Sequence, residues 1–180
     1  MRADYFRLYR NQRLLSRSIL LTIYFHFNDY LSEHPLPSQR GRILGLDVGD
    51  KYVGTSLSDE RAVIASPYDY YQRKSFQKDG AYFSKLMGDY KILFVIVGLP
   101  LNLNGSVSRK AEDIIGFIGR IQEVTRGDFI FWDERFSTLA VERAMLEHDI
   151  SRKKRENNID KLAATYILQG ALDYLKNRQS

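Results

Sequence analysis

The stretch RILGLDVGDKYVGTSLS, residues 42–58, decides how the rest of the chain is read. Ile43, Leu44 and Leu46 make an apolar strand that ends on a carboxylate, Asp47. Gly49-Asp50 is a turn signal, and Tyr52, Val53 and Leu57 lie in a second strand that returns antiparallel. A carboxylate leaving an apolar strand needs a partner, because an unpaired buried charge is expensive. Two partners are open to Asp47: the backbone of a turn that it caps itself, or a metal ion.

Downstream, residues 61–70 carry Val63, Ile64, Ala65 and Tyr68 around Ser66-Pro67. They read as a third strand at a sheet edge, since proline cannot donate to a central ladder. Phe76, Tyr82, Phe83, Leu86 and Met87 have helical spacing over residues 75–90. KILFVIV, residues 91–97, is an unbroken apolar run, the pattern of a strand buried on both faces. It runs into a loop rich in turn residues, 98–106. A helix follows over residues 107–124, capped by Ser106 or Ser108, with Ile114, Ile115, Ile118 and Ile121 on its apolar side. DFIFW, residues 128–132, is another buried strand and it too ends in acids, Asp133 and Glu134. Phe136-Ser137-Thr138 opens a helix to about residue 148. Residues 150–158 read as a loop carrying Arg152, Lys153, Lys154 and Arg155, and the last helix as residues 158–177, with Asp160 in its first turn.

Strand–helix–strand units imply parallel neighbours, and opening hairpins an antiparallel edge. The predicted architecture is α/β: a five-stranded mixed sheet, three antiparallel strands then two parallel ones, flanked by helices. Its first and fifth strands bring Asp47 and the Asp133–Glu134 pair to one edge. Asp160 is in phase with Ala163, Ala164 and Ile167, on or beside the face that packs on the sheet. The helix dipole alone favours an acid in a first turn. Acids that converge instead raise each other's pKa unless a cation sits among them.

Residues 1–41 form a separate stretch. Arg2, Arg7, Arg10, Arg13 and Arg17 alternate with apolar residues, and Asp4 is the only acid before Asp29. Two readings are open: an organellar transit peptide, or an N-terminal helix over residues 2–31 packed on the domain or on a second copy. Residues 32–42, with Pro35 and Pro37, make the linker to a domain spanning 42–180.

The chain of 180 residues is long enough for one substantial core. It has no cysteine, which excludes disulfides, thiolate metal sites and a cysteine nucleophile. A cytoplasmic protein fits, or a mitochondrial or plastid one if the first 41 residues are a transit peptide. The net charge of +5 suits a polyanionic partner. The apolar run at residues 19–27 is too short to span a bilayer. His26, His34 and His148 have no metal-ligand spacing.

Four stretches, GLDVGDKYVGTSLSD (45–59), VGLPLNLNGSVS (97–108), DERFST (133–138) and DKLAATYIL (160–168), resemble the YqgF or RuvX family of the ribonuclease H-like superfamily. Members are described as Holliday junction resolvases and ribosomal RNA precursor nucleases. The resemblance implies a ribonuclease H-like fold and a nuclease dependent on Mg²⁺ or Mn²⁺. Carried over by position, Asp47, one of Asp133 and Glu134, and Asp160 would be the catalytic and metal-binding acids. A period-two strand aims only one of Asp133 and Glu134 inward. The central strand ends in Gly98-Leu99-Pro100, where many members of the superfamily carry an acid, so three acidic positions are implied rather than four.

Lys51, Asn104, Ser106, Ser108, Arg135, Ser137, Thr138, Arg152, Lys153, Lys154 and Arg155 are candidates for phosphate contact by residue type and proximity to the acids. For Ser106, Ser108, Ser137 and Thr138 helix capping is the competing reading, and for 152–155 a solvated loop. Three functions follow: a metal-dependent nuclease on rRNA precursor or branched DNA, a non-catalytic nucleic-acid-binding or ribosome-assembly module, or a phosphotransferase. The last needs two such domains, for which the chain is too short. A monomer suits single cuts in RNA; a homodimer suits a symmetric junction.

Overall fold

A computed structural model describes residues 23–24, 27–34, 41–134 and 152–179, with side chains of the last segment from residue 162 to 178. All five expected strands are present: β2 (Arg42–Val48), β3 (Tyr52–Ser58), β4 (Ala65–Gln72), β5 (Ile92–Leu99) and β6 (Phe129–Asp133). A two-residue strand, β1 (Ile23–Tyr24), adds a sixth, and the sheet order is β1-β6-β5-β2-β3-β4. β2, β3 and β4 are antiparallel neighbours, while β5 runs parallel to β2, β6 to β5, and β1 to β6. Pro67 lies on the outermost strand β4, at a register shift against β3, where its missing N–H costs no central ladder bond.

Four helices complete the described residues: α1 (Phe27–Glu33), α2 (Phe76–Asp89), α3 (Arg109–Thr125) and α4 (Arg152–Gln179). The helix expected over residues 2–31 is interrupted where it can be seen. Ile23 and Tyr24 pair with Phe129 and Ile130, so the open edge of β6 captures this stretch as strand and α1 begins afresh at Phe27. The remainder of that expectation, residues 2–22 and 25–26, lies outside the described residues, as does the helix expected over residues 136–148.

The alternation of the strands divides the core in two. On one face Leu44, Leu46, Val48, Val95, Val97, Leu99, Phe129 and Phe131 pack against Phe83 of α2 and Phe117, Ile118 and Ile121 of α3. On the other, Ile43, Phe94, Ile96 and Ile130 meet Ile167, Leu168, Ala171, Leu172 and Leu175 of α4, with Tyr24, Phe27 and Tyr30 closing the β6 side. Each fully buried side chain of this size contributes about 1.5–3 kcal/mol.

α4 corrects the reading of residues 150–158 as a loop. It starts at Arg152 and runs for 28 residues without a break. Asn157-Asn158 looks like a helix start, yet Arg, Lys and Glu before it are strong helix formers and no glycine or proline intervenes. Asp160 therefore stands more than two turns into the helix, and its position owes nothing to a first-turn dipole.

α4 approaches the sheet closely because of what β2 and β3 lack. A Cβ on Gly45 would stand 2.7 Å from Leu168 Cβ and 2.9 Å from the Ala164 carbonyl oxygen. Ser56 Oγ, on β3 opposite Gly45, donates to that same carbonyl at 2.8 Å. The direction of the helix is fixed further along. Ile167 lies over Gly98 near the end of β5, whereas Tyr174, two turns on, packs against Phe27, which touches Phe94 near the beginning of β5. α4 thus runs antiparallel to β5, and its earlier residues point toward the carboxyl ends of β2, β5 and β6.

Candidate active site

Asp47 is the penultimate residue of β2 and half-buried between two buried neighbours, Leu46 and Val48. The β2–β5 register ends at Leu46 opposite Val97; one further step puts Asp47 beside Gly98. On the other side of Gly98 stands Trp132 of β6, and Leu99 is opposite Asp133.

The two acids at the end of β6 lie differently with respect to Gly98. A Cβ there would come within 2.5 Å of Glu134 Oε1, and closer still to Ile167 Cδ1. Glu134, which follows β6, therefore lays its carboxylate over Gly98 on the α4 face, the face that Asp47 shares by alternation with Ile43 and Gly45. Asp133 follows Phe129 and Phe131 in phase and belongs to the α2/α3 face. Of the three acidic positions, two are side chains flanking one glycine. The third, Asp160, is placed by its backbone, one turn before the Ala164 contact and on the side of the strands' carboxyl ends. Its side chain lies outside the described residues. Among those residues no three acidic or histidine side chains converge to form an ion-binding set.

The expected phosphate contacts sort into three groups. Lys51 is exposed at the β2–β3 turn. Asn104 and Ser106 are exposed on the loop after β5, but they also build it: Asn104 Oδ1 accepts from Ser106 N at 2.9 Å and from Ser106 Oγ at 2.7 Å, and Gly105 turns the chain at φ 81°. Ser108 is the N-cap of α3, accepting from Ala111 N at 3.1 Å, and donates to the Pro100 carbonyl at 2.9 Å. The capping role expected of it is present. Arg135, Ser137 and Thr138 lie outside the described residues. Arg152, Lys153, Lys154 and Arg155 form the first turn of α4, with side chains outside the described set.

Residues 41–174 match a known family, described as RuvX, Holliday junction resolvase. This chain belongs to the RuvX family. A protein of Caldanaerobacter subterraneus subsp. tengcongensis, named "Putative pre-16S rRNA nuclease", is 47% identical over 137 residues, covering 76% of this chain and 99% of that one. One of the same name from Bartonella tribocorum is 40% identical over 147 residues, covering 82% and 93%. The solved structure of T. thermophilus RuvC in complex with Holliday junction substrate overlays with a TM-score of 0.47 at 12% identity, covering 74% of this chain and 94% of that one.

Membership of the RuvX family implies divalent metal use. The donor set fits such an ion: Asp47 and Glu134 offer carboxylate oxygens, the ligands hard cations take, and the bare Gly98 leaves the space that Glu134 fills.

One basic residue at this edge escaped the sequence reading. Arg73, just past β4, donates its backbone N–H to the Lys51 carbonyl at 2.9 Å and Nη1 to the Gly49 carbonyl at 2.8 Å. It buttresses the turn that follows Asp47. Its only sequence signal is a basic pair, Arg73-Lys74, where a strand gives way to a helix. Among the described residues no helix is long and apolar enough to cross a membrane.

Proposed function

We propose that this chain is a divalent-metal-dependent nuclease that hydrolyses phosphodiesters in structured nucleic acid, with 5′-end processing of a pre-16S-type rRNA as its leading activity. The observation that supports this most is the Gly98 gap, which sets the Glu134 carboxylate beside Asp47 on the face carrying α4. Asp47, Glu134 and Asp160 are the residues that would hold Mg²⁺ or Mn²⁺, and Asp133 is left to the opposite face. A bound ion of this kind would supply charge neutralisation at the phosphodiester and a lowered pKa for water. The chain's own part is to fix two carboxylates against the ends of buried strands, so that their geometry does not relax when a polyanion arrives.

The relatives' names favour RNA over a DNA junction as substrate, and the net charge of +5 agrees with either polyanion. The test is cleavage of a labelled rRNA-precursor 5′ leader beside a labelled four-way DNA junction, with Mg²⁺ or Mn²⁺. Asp47→Asn should reduce the rate at least about a hundredfold, the scale of losing one aligned electrostatic group, while retaining binding and melting temperature. A fully active Asp47→Asn rules out this site; a wild type that binds both substrates and cuts neither leaves an assembly module in its place.

A further inference from the structure

A cleft of about 260 Å³ opens beside the turn that follows Asp47, between the start of α2 and the middle of α3. Three cations line it, Arg73, Lys74 and Arg120, together with Phe76, Phe117 and one acid, Asp79. Its volume far exceeds that of a water, about 30 Å³ of the liquid.

The cleft is built rigidly. The Arg73 guanidinium lies over the Phe117 ring, 4.1 Å from its centroid, while Nη1 holds the Gly49 carbonyl. A guanidinium stacked in this way keeps its charge and most of its donors. Asp79 is buried, 4% exposed, and its Oδ1 already accepts from Tyr71 Oη and Lys74 N, each at 2.8 Å. Burial, and then the bond to Asp79, pushes Tyr71 up to about 12, so it remains a donor throughout the neutral range. The acid thus organises the junction of β4 and α2, and three cations face the cleft against one engaged carboxylate. Lys74 and Arg120 are exposed, and Phe76 is 38% exposed at the rim.

Arg73 joins this cleft to the acidic edge through Gly49 and Lys51. We propose that the cleft holds a backbone phosphate of the same polynucleotide strand whose scissile bond lies at Asp47 and Glu134, gripped by Lys74 and Arg120 over Arg73, with Phe76 offering a face for a neighbouring base. This rests on the nuclease reading and adds a second point of attachment to it. A strand bound at both places is fixed in direction as well as position.

The test is equilibrium binding of the labelled rRNA-precursor leader across a range of KCl concentrations, in the Asp47→Asn background so that nothing is cut. Lys74→Gln with Arg120→Gln should weaken binding about tenfold and lower the slope of log affinity on log salt by about 1, the value for one lost phosphate contact. Lys74→Arg with Arg120→Lys should restore the slope. Lys85→Gln with Lys91→Gln, two exposed cations away from the cleft, should leave both quantities unchanged. With Asp47 restored, the first pair should lower kcat/KM through KM.

An unchanged slope in Lys74→Gln/Arg120→Gln, or an equal change in the control pair, overturns the proposal. If Asp47-dependent cleavage persists in that case, the nuclease reading survives alone. A changed slope in a protein that cuts nothing supports the cleft and removes the nuclease reading.

Discussion

The two faces of the sheet are made in opposite ways. Under α2 and α3 the inward positions of β2 and β5 carry large side chains, and Leu44, Leu46, Val95, Val97 and Leu99 interlock with Phe83, Phe117 and Ile118. Under α4 two of the inward positions, Gly45 and Gly98, carry none. The first face is held by volume and the second by close approach. The Glu134 carboxylate finds its room where Gly98 leaves a side chain out, on the face that gives up packing to admit it.

Breaking the packed face should cost the most. Ile118→Ala leaves a hole at a fully buried position and should destabilise by roughly 2–5 kcal/mol. Denaturant melts should show the loss, while the folded fraction cleaves at the parental rate. A loss of activity without a loss of stability would show that the two faces are not separable.

The two glycines sharpen the comparison, because an added methyl meets different obstacles. At Gly45 the obstacles include the Ala164 carbonyl and Leu168 Cβ, which belong to the frame of α4 and cannot swing aside. Gly45→Ala should destabilise by about 1–3 kcal/mol as the helix lifts. At Gly98 the obstacles are the ends of two flexible side chains, Glu134 and Ile167. Gly98→Ala should leave the melting temperature nearly unchanged and lower cleavage about tenfold or more, since the Glu134 carboxylate must move. Equal thermal effects from the two substitutions would contradict this division of roles.

Most of this division can be read in the sequence, and the exceptions have physical causes. The strands announce themselves by apolar runs, and Asp47, the Asp133–Glu134 pair and Asp160 by standing where those runs and the last helical stripe end. The choice between Asp133 and Glu134 needs the register, because it turns on what stands opposite: Gly98 is a gap only once Trp132 is its neighbour. β1 was hidden because two residues have no periodicity, and they are strand only because β6 offers an unpaired edge. The start of α4 was hidden by Asn157-Asn158, a turn signal overridden by the helix formers before it. The basic cleft was hidden because Arg73 and Arg120 come from different elements, and nothing local links them.

The smallest effect concerns a turn outside both faces. Asp59 Oδ1 accepts from Val63 N at 2.7 Å and Ile64 N at 2.9 Å, closing the loop between β3 and β4. The N–H of Ile64, and then that of Val63, hold its carboxyl below the usual range. A depressed native value means stability present above the ordinary carboxylate pKa and lost as the pH falls through the native one. Asp59→Asn should therefore be less stable than the parent at neutral pH, by under about 1 kcal/mol given its exposure. Urea midpoints should begin to converge as the pH drops below about 4 and meet once it lies below the depressed native value. A gap that persists in acid would mean that the side chain acts through shape rather than charge.

The unbroken α4 has one more consequence. Asp160 and Ala164 are a single turn apart, so the acid is indexed angularly to the carbonyl that Ser56 grips. Deleting one residue between them would rotate Asp160 by about 100° around the helix axis and carry it away from the strand ends. The chain can change length in the loop after β5, where the geometry is local. Between residues 160 and 164 its length is a fixed part of the proposed site, as much as the identity of the acid itself.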